Sequence, residues 1–154
     1  MIEQGDMAPD VMVQSMSGDM VRLADAVQAP MVVYFYPKDD TPGCTNEAKD
    51  FSALVGAFAA AGVSIVGISK DSPKRHMKFS AKYELEFPLV SDIDGSVCEA
   101  FGAWAEKSLY GRKYMGIDRS TFLIASDGRI ARIWRKVKVK GHAAEVLAAA
   151  RELA

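Results

Sequence analysis

Two apolar runs, Met31-Val32-Val33-Tyr34-Phe35-Tyr36 and Val63-Ser64-Ile65-Val66-Gly67-Ile68-Ser69, read as buried strands, and the stretch between them is patterned as a helix. There Phe51, Leu54, Val55 and Phe58 fall at i, i+3, i+4 and i+7, which makes one apolar face, and Gly62 stops it. This strand-helix-strand order constrains the fold more than any other feature. Strands joined by a helical crossover run parallel, and a parallel sheet needs cover on both faces.

The alternation continues along the chain. Pro73 opens a shorter, more polar helix to about Tyr83, residues 87–90 form another strand, and residues 95–101 suggest a further helical turn or two. Residues 120–125 and 129–134 flank a Ser126-Asp127-Gly128 turn as a hairpin, and residues 143–153 close with a helix. At the other end, residues 11–13 and 20–23 flank Ser17-Gly18-Asp19 as an N-terminal hairpin. Parallel crossovers joined to a terminal antiparallel hairpin predict an α/β fold with a central mixed sheet between helices, and a thioredoxin-like arrangement fits the order.

No repeat, low-complexity tract or linker divides the 154 residues, so a single domain spanning residues 1–154 is expected. A chain of this length buries roughly 68–70% of its unfolded surface and needs no disulfide staples. With 19 Lys plus Arg against 20 Asp plus Glu, the net charge of −1 offers no overall field for nucleic acid or anionic lipid. The apolar runs fall far short of the roughly 20 residues of a membrane helix, and the acidic, polar start MIEQGDMAPD lacks the pattern of a signal peptide. A cytoplasmic protein is expected, in which two cysteines serve chemistry or core packing.

The segment Pro37-Lys38-Asp39-Asp40-Thr41-Pro42-Gly43-Cys44 joins a buried strand to an amphipathic helix, where ligands of α/β sheets collect. Thr41 followed by Pro42 reads as an N-cap with proline in the first helical position, which places Cys44 in the first turn. Unpaired amides and the positive end of the helix dipole favour thiolate there. A thiol of pKa about 8.5 is only a few per cent ionised at pH 7, whereas one near 6 is about 90% ionised. Ionisation alone does not make a fast nucleophile, because nucleophilicity falls with pKa. The Thr41 hydroxyl could accept from or donate to an oxygen aligned with the sulfur, the Gly43 and Cys44 amides could bind developing negative charge, and a remote cation would complete the site.

The pattern Pro37-x-x-x-Thr41-x-x-Cys44 resembles the active-site signature of peroxiredoxins. The wider context YFYPKDDTPGCTNE, SLYGRKYMGIDRSTFLI (108–124) and WRKVKVKGHAAEVL (134–147) is similar to the bacterioferritin comigratory protein, or peroxiredoxin Q, subfamily. The resemblance implies a thiol-dependent peroxidase in antioxidant defence, acting on hydrogen peroxide and organic hydroperoxides without metal or organic cofactor. It makes Cys44 the peroxidatic cysteine, oxidised to a sulfenic acid that thioredoxin, glutaredoxin or a small thiol then reduces. Pro37 would shield Cys44, Thr41 would hydrogen-bond the peroxide, Arg119 would supply the cation, and Glu47 would order the arginine. A monomer is implied as well.

The chain departs from the subfamily at the usual resolving positions, which hold Lys49 and Ser80. Cys98 is the other cysteine, and with Val97 and Phe101 it could share a core-facing stripe, so it reads as a buried inert thiol or as a resolving partner for Cys44. The remaining candidates have plainer readings. Arg119 could pair with Asp118 or Glu47 on the surface. His76, on a polar helix, and His142, at a helix start, read as surface residues without metal-ligand spacing. Residues 135–140, alternating charge with Val137 and Val139, read as an edge strand protected by charge, and Trp104 and Trp134 as packing residues. Two rival functions remain: a non-catalytic thioredoxin-like binding module, and a magnesium-dependent phosphatase using Asp92 and Asp94 at the end of a strand.

Overall fold

A computed structural model describes residues 2–153. Seven strands form one mixed sheet in the order β2 (Met20–Arg22), β1 (Met12–Gln14), β5 (Leu89–Ser91), β4 (Ser64–Ser69), β3 (Met31–Phe35), β8 (Ser120–Ile124), β9 (Ile130–Trp134). At its centre β3 (Met31–Phe35) pairs in parallel with β4 (Ser64–Ser69), and β4 pairs in parallel with β5 (Leu89–Ser91). The helices of the two crossovers are α2 (Pro42–Ala53) with α3 (Val55–Ala60), and α4 (Pro73–Tyr83). On the other side of β3 lie β8 (Ser120–Ile124), antiparallel to β3, and β9 (Ile130–Trp134), antiparallel to β8. The expected N-terminal hairpin is β1 (Met12–Gln14) with β2 (Met20–Arg22), and it joins the sheet through β1 against β5. A short helix, α1 (Leu23–Ala26), follows directly.

The two-residue period of β3 divides the interior into two cores. Val32 and Tyr34, with Tyr36 just beyond the strand, face a core that also holds residues of α2, α3, α4 and the last helix, α6 (His142–Arg151). Met31, Val33 and Phe35 face a second core with Leu23 of α1 and with Val97 and Cys98 of α5 (Ser96–Ala100). Every residue of β3 is buried, as a doubly covered strand requires.

Three features differ from the sequence reading. The long helix expected after Cys44 is broken at Leu54, whose backbone (φ −102°, ψ 4°) leaves the helical region and whose amide bonds the Phe51 carbonyl in a tighter turn. Phe51 and Phe58 stay fully buried on either side of that break, with ring centroids 6.1 Å apart. Residues 135–140 are not an edge strand: β9 ends at Trp134, and the chain leaves it through Lys136, which has a positive φ of 49°. Arg135 instead donates to the Gly102 carbonyl at 2.8 Å. A separate hairpin, β6 (Trp104–Leu109) with β7 (Arg112–Ile117), has no counterpart among the expected elements. Its turn residues Tyr110 and Gly111 both have positive φ, which matches the twist of a two-residue hairpin connection.

Phe122 shows how the second core is held. Its side chain is fully buried, edge-on to Phe35 at 5.7 Å and to Phe101 at 5.0 Å. Truncation would leave a cavity the sheet cannot close, so Phe122→Ala is expected to destabilise the fold by about 3–5 kcal/mol in urea titrations. A loss below about 1 kcal/mol would show that this core repacks.

Candidate active site

Two neighbours in the sheet set the geometry. β3 delivers the chain to the loop of residues 37–41, and β8 runs antiparallel beside it in a register that sets Phe35 opposite Ser120. Arg119 therefore stands at the end of β3 where α2 begins. Thr41 occupies the N-cap position with extended backbone (φ −100°, ψ 153°), and Pro42 opens the helix. Cys44 and Glu47, one turn apart on α2, are both buried on its inner side.

Arg119 joins these elements. Its Nη1 donates to Glu47 Oε1 at 2.6 Å and its Nη2 donates to Cys44 Sγ at 3.3 Å. The guanidinium is mostly enclosed, with 17% of the side chain exposed, while Glu47 is 1% and Cys44 2% exposed. Gly43 makes room for it: a Cβ there would stand 3.3 Å from Nη2. Among the described residues the Gly43 and Cys44 amides have no hydrogen-bond partner, so both remain available in the first turn. The Thr41 hydroxyl donates to the Lys38 carbonyl at 2.8 Å, leaving its lone pairs to accept. Of the two roles expected for Thr41, this conformation offers acceptance. Pro37, which the resemblance has shield Cys44, is exposed.

Burial pushes the Glu47 carboxyl up to about 7, with the charge and hydrogen bond of Arg119 pulling it back. Its second oxygen, Oε2, has no hydrogen-bond partner among the described residues.

The two histidines are not surface residues. His76 is fully buried because α4 turns His76, Phe79 and Tyr83 inward as one stripe while its charged residues face out. His142 is buried against Phe51 and Trp134, with ring centroids 6.0 and 5.8 Å away, and its Nε2 lies 2.8 Å from Thr121 Oγ1. Burial pushes His142 down to about 4 and keeps it neutral near pH 7.

Cys98 lies in the second core, on the opposite face of the sheet from Cys44. Burial and the neighbouring Asp92 carboxylate hold its thiol well above the ordinary range. Asp92 accepts the Val97 and Cys98 amides at 3.1 and 2.8 Å, and Asp94 accepts the Ser96 amide and hydroxyl. The Asp-x-Asp pair thus caps α5. No described helix is long and apolar enough to cross a membrane.

Residues 4–133 match the AhpC/TSA family. The chain belongs to that family. A peroxiredoxin named Bcp from Xanthomonas campestris is 55% identical over 119 residues, covering 77% of this chain and 74% of the relative. A Bcp from Bacillus subtilis is 48% identical and covers 95% of this chain and 93% of its own. Among solved structures, a cysteine-to-serine variant of Xylella fastidiosa peroxiredoxin Q matches with a TM-score of 0.91 at 39% identity, covering 99% of this chain and 97% of the other. A variant of the X. campestris protein matches at 0.87 and 48% identity, over 94% and 92%. The expected thioredoxin-like fold and the assignment as a peroxidase, an oxidoreductase of the Bcp and peroxiredoxin Q type, both hold.

For this AhpC/TSA-family protein, Glu47 gives a test with a defined sign. A carboxyl whose pKa is about 7 folded and 4.5 in its ordinary range binds its proton more tightly in the native state. Its contribution is present below pH 4.5 and is lost as pH rises through 7. His142 acts oppositely, its contribution being present above 6.5 and lost as pH falls through 4. The stability of the wild type minus that of Glu47→Gln isolates the first effect. That difference is expected to fall by on the order of 2–3 kcal/mol between pH 4.5 and 7 in urea titrations. A flat difference would show that Glu47 is ionised throughout.

Proposed function

We propose that the protein is a thiol-dependent peroxidase whose nucleophile is Cys44, acting on hydrogen peroxide and organic hydroperoxides. One observation carries this reading: Arg119 donates to the Cys44 sulfur while Glu47 holds the other arm of the same guanidinium. A guanidinium beside the sulfur stabilises the thiolate and the negative charge that spreads onto peroxide oxygen as it is attacked.

The thiolate attacks the terminal peroxide oxygen, a sulfur–oxygen bond forms as the oxygen–oxygen bond breaks, and the leaving oxygen takes a proton to depart as water or alcohol. Cys44 becomes a sulfenic acid. Thr41 accepts the peroxide hydrogen bond, the free Gly43 and Cys44 amides hold the leaving charge, and Pro37 covers the mouth. One equivalent of an external thiol condenses with the sulfenic acid to a mixed disulfide and water, and a second releases the Cys44 thiol. Thioredoxin, glutaredoxin or a small thiol fits this role, because the sheet separates Cys98 from Cys44 and Cys98 serves as packing. No metal or organic cofactor enters the cycle. A single domain working as a cytoplasmic monomer is part of this proposal; two free cysteines suit a reducing compartment.

Intact mass of the fully reduced protein, before and after one equivalent of hydrogen peroxide, tests it. Gain of one oxygen on Cys44 is expected, absent in Cys44→Ser. Loss of two hydrogens would make Cys98 the resolving thiol, a covalent dimer would mean resolution between chains, and no rapid change would overturn the peroxidase mechanism. Arg119→Ala is expected to slow the peroxide step by about 10²-fold with the fold retained. An unaltered rate would remove Arg119 from the machinery.

A further inference from the structure

The loop between β3 and α2 carries two of the proposed active-site groups, Pro37 and Thr41, yet most of it is exposed: Pro37, Lys38 and Asp40 face solvent. Asp39 is the exception, turned inward to 3% exposure. A carboxylate so placed is unfavourable unless it is paired. Tyr36 Oη donates to its Oδ1 at 2.5 Å, and His76 Nδ1 lies 2.7 Å from its Oδ2. Its backbone amide donates to Asp71 Oδ2 at 2.8 Å, and Asp71 is held in turn by the Ser69 hydroxyl and by Arg75.

His76, at 0% exposure, spans from this loop to the sheet, since its Nε2 lies 3.0 Å from the Val90 carbonyl. That carbonyl only accepts, so Nε2 carries a proton, and a further proton between Nδ1 and Oδ2 ties the ring to the loop. The ligand atoms of Asp39, Asp71 and His76 lie within 4.8 Å of one another, but both ring nitrogens and both Asp39 oxygens already have hydrogen-bond partners. The cluster is built as a clasp. Its outer end reaches the chemistry through the backbone: Lys38, next to Asp39, offers the carbonyl that fixes the Thr41 hydroxyl.

We propose that the buried Asp39 and His76 clasp sets the position of residues 37–41, so that His76 is a positioning residue for the reaction of peroxide at Cys44. This rests on the reading of Cys44 as the peroxidatic nucleophile. A second tether, from Asp40 to Lys82 and Tyr83, is exposed and contributes little to that positioning.

The test uses the full chain with His76→Gln, Asp39→Asn and, as a control, Lys82→Ala, each checked by circular dichroism at the assay temperature. Two rate constants are measured on the reduced proteins: oxidation of Cys44 by hydrogen peroxide, by rapid quench and intact mass, and alkylation of Cys44 by iodoacetamide. Alkylation needs the thiolate but no aligned Thr41 hydroxyl. The peroxide rate is expected to fall about 10- to 100-fold in the clasp variants while alkylation changes by less than about threefold, since displacement of a reacting group by about 1 Å costs on this order. Lys82→Ala is expected to alter neither by more than about twofold.

Clasp variants that fold and keep the wild-type peroxide rate would overturn the inference. An equal fall in both rates would also overturn it, because His76 would then act on the thiol itself. Should His76→Gln fail to fold, the smaller change Asp39→Asn decides, since it keeps an acceptor for Tyr36. A wild type inert to peroxide but open to alkylation would instead defeat the peroxidase reading, and the inference with it.

Discussion

The register of β8 against β3 is the constraint on which the site depends. Because Ser120 stands opposite Phe35, Arg119 lies level with the point where the chain leaves β3 for the loop and α2. Side chains alternate across a strand, so a slip of one residue would turn Arg119 into the opposite core and leave Glu47 buried without a cation. The register is held by the pattern it serves: Phe122 and Ile124 pack in one core and Leu123 in the other. Packing in the sheet and chemistry at its end are thus specified by the same alternation.

Around that point the protein buries ionisable groups in hydrogen-bonded sets. Glu47 and Arg119 form one, and Asp39 with His76 the other. Both sets face the core shared by α2 and α4, where a lone ion would be strongly unfavourable. Fixed groups of this kind need no reorganisation when charge moves, which suits a site that stabilises a short-lived charge distribution. Glu47 holds the guanidinium through one oxygen at 2.6 Å, and its Oε2 has no partner among the described residues.

The central strands and their helices were legible in the sequence because burial on one or both faces writes itself as periodicity. Where that signal fails, so did the reading. The strands β6 and β7 are exposed along most of both faces, so no apolar alternation marks them, and the Tyr110-Gly111 turn was the available clue. His76 reads as a surface residue because Lys74, Arg75 and Lys78 make α4 look polar, although its spacing to Phe79 and Tyr83 marks an inward stripe. His142 gave no such sign, since its partner Thr121 is 21 residues away and meets it only in the folded sheet. Cys44, Thr41 and Gly43 are readable as a local group at a helix start, whereas Glu47, one turn on, is pointed to by the resemblance. Arg119 lies 75 positions from Cys44 and entered only through resemblance, because nothing local ties the two together.

The sheet that divides the interior into two cores also acts as an insulator. One thiol lies on each side, with the seven-stranded sheet between them, so under the proposed cycle a Cys44 sulfenic acid would meet no second thiol within the folded chain. Under that cycle the lifetime of the Cys44 sulfenic acid would be set by how often a reducing thiol arrives from solution. During that wait a second oxidant can carry the sulfur onward to the sulfinic state, from which ordinary thiols do not return it. Throughput and survival of a protein working this way would be governed together by the surrounding ratio of thiol to peroxide.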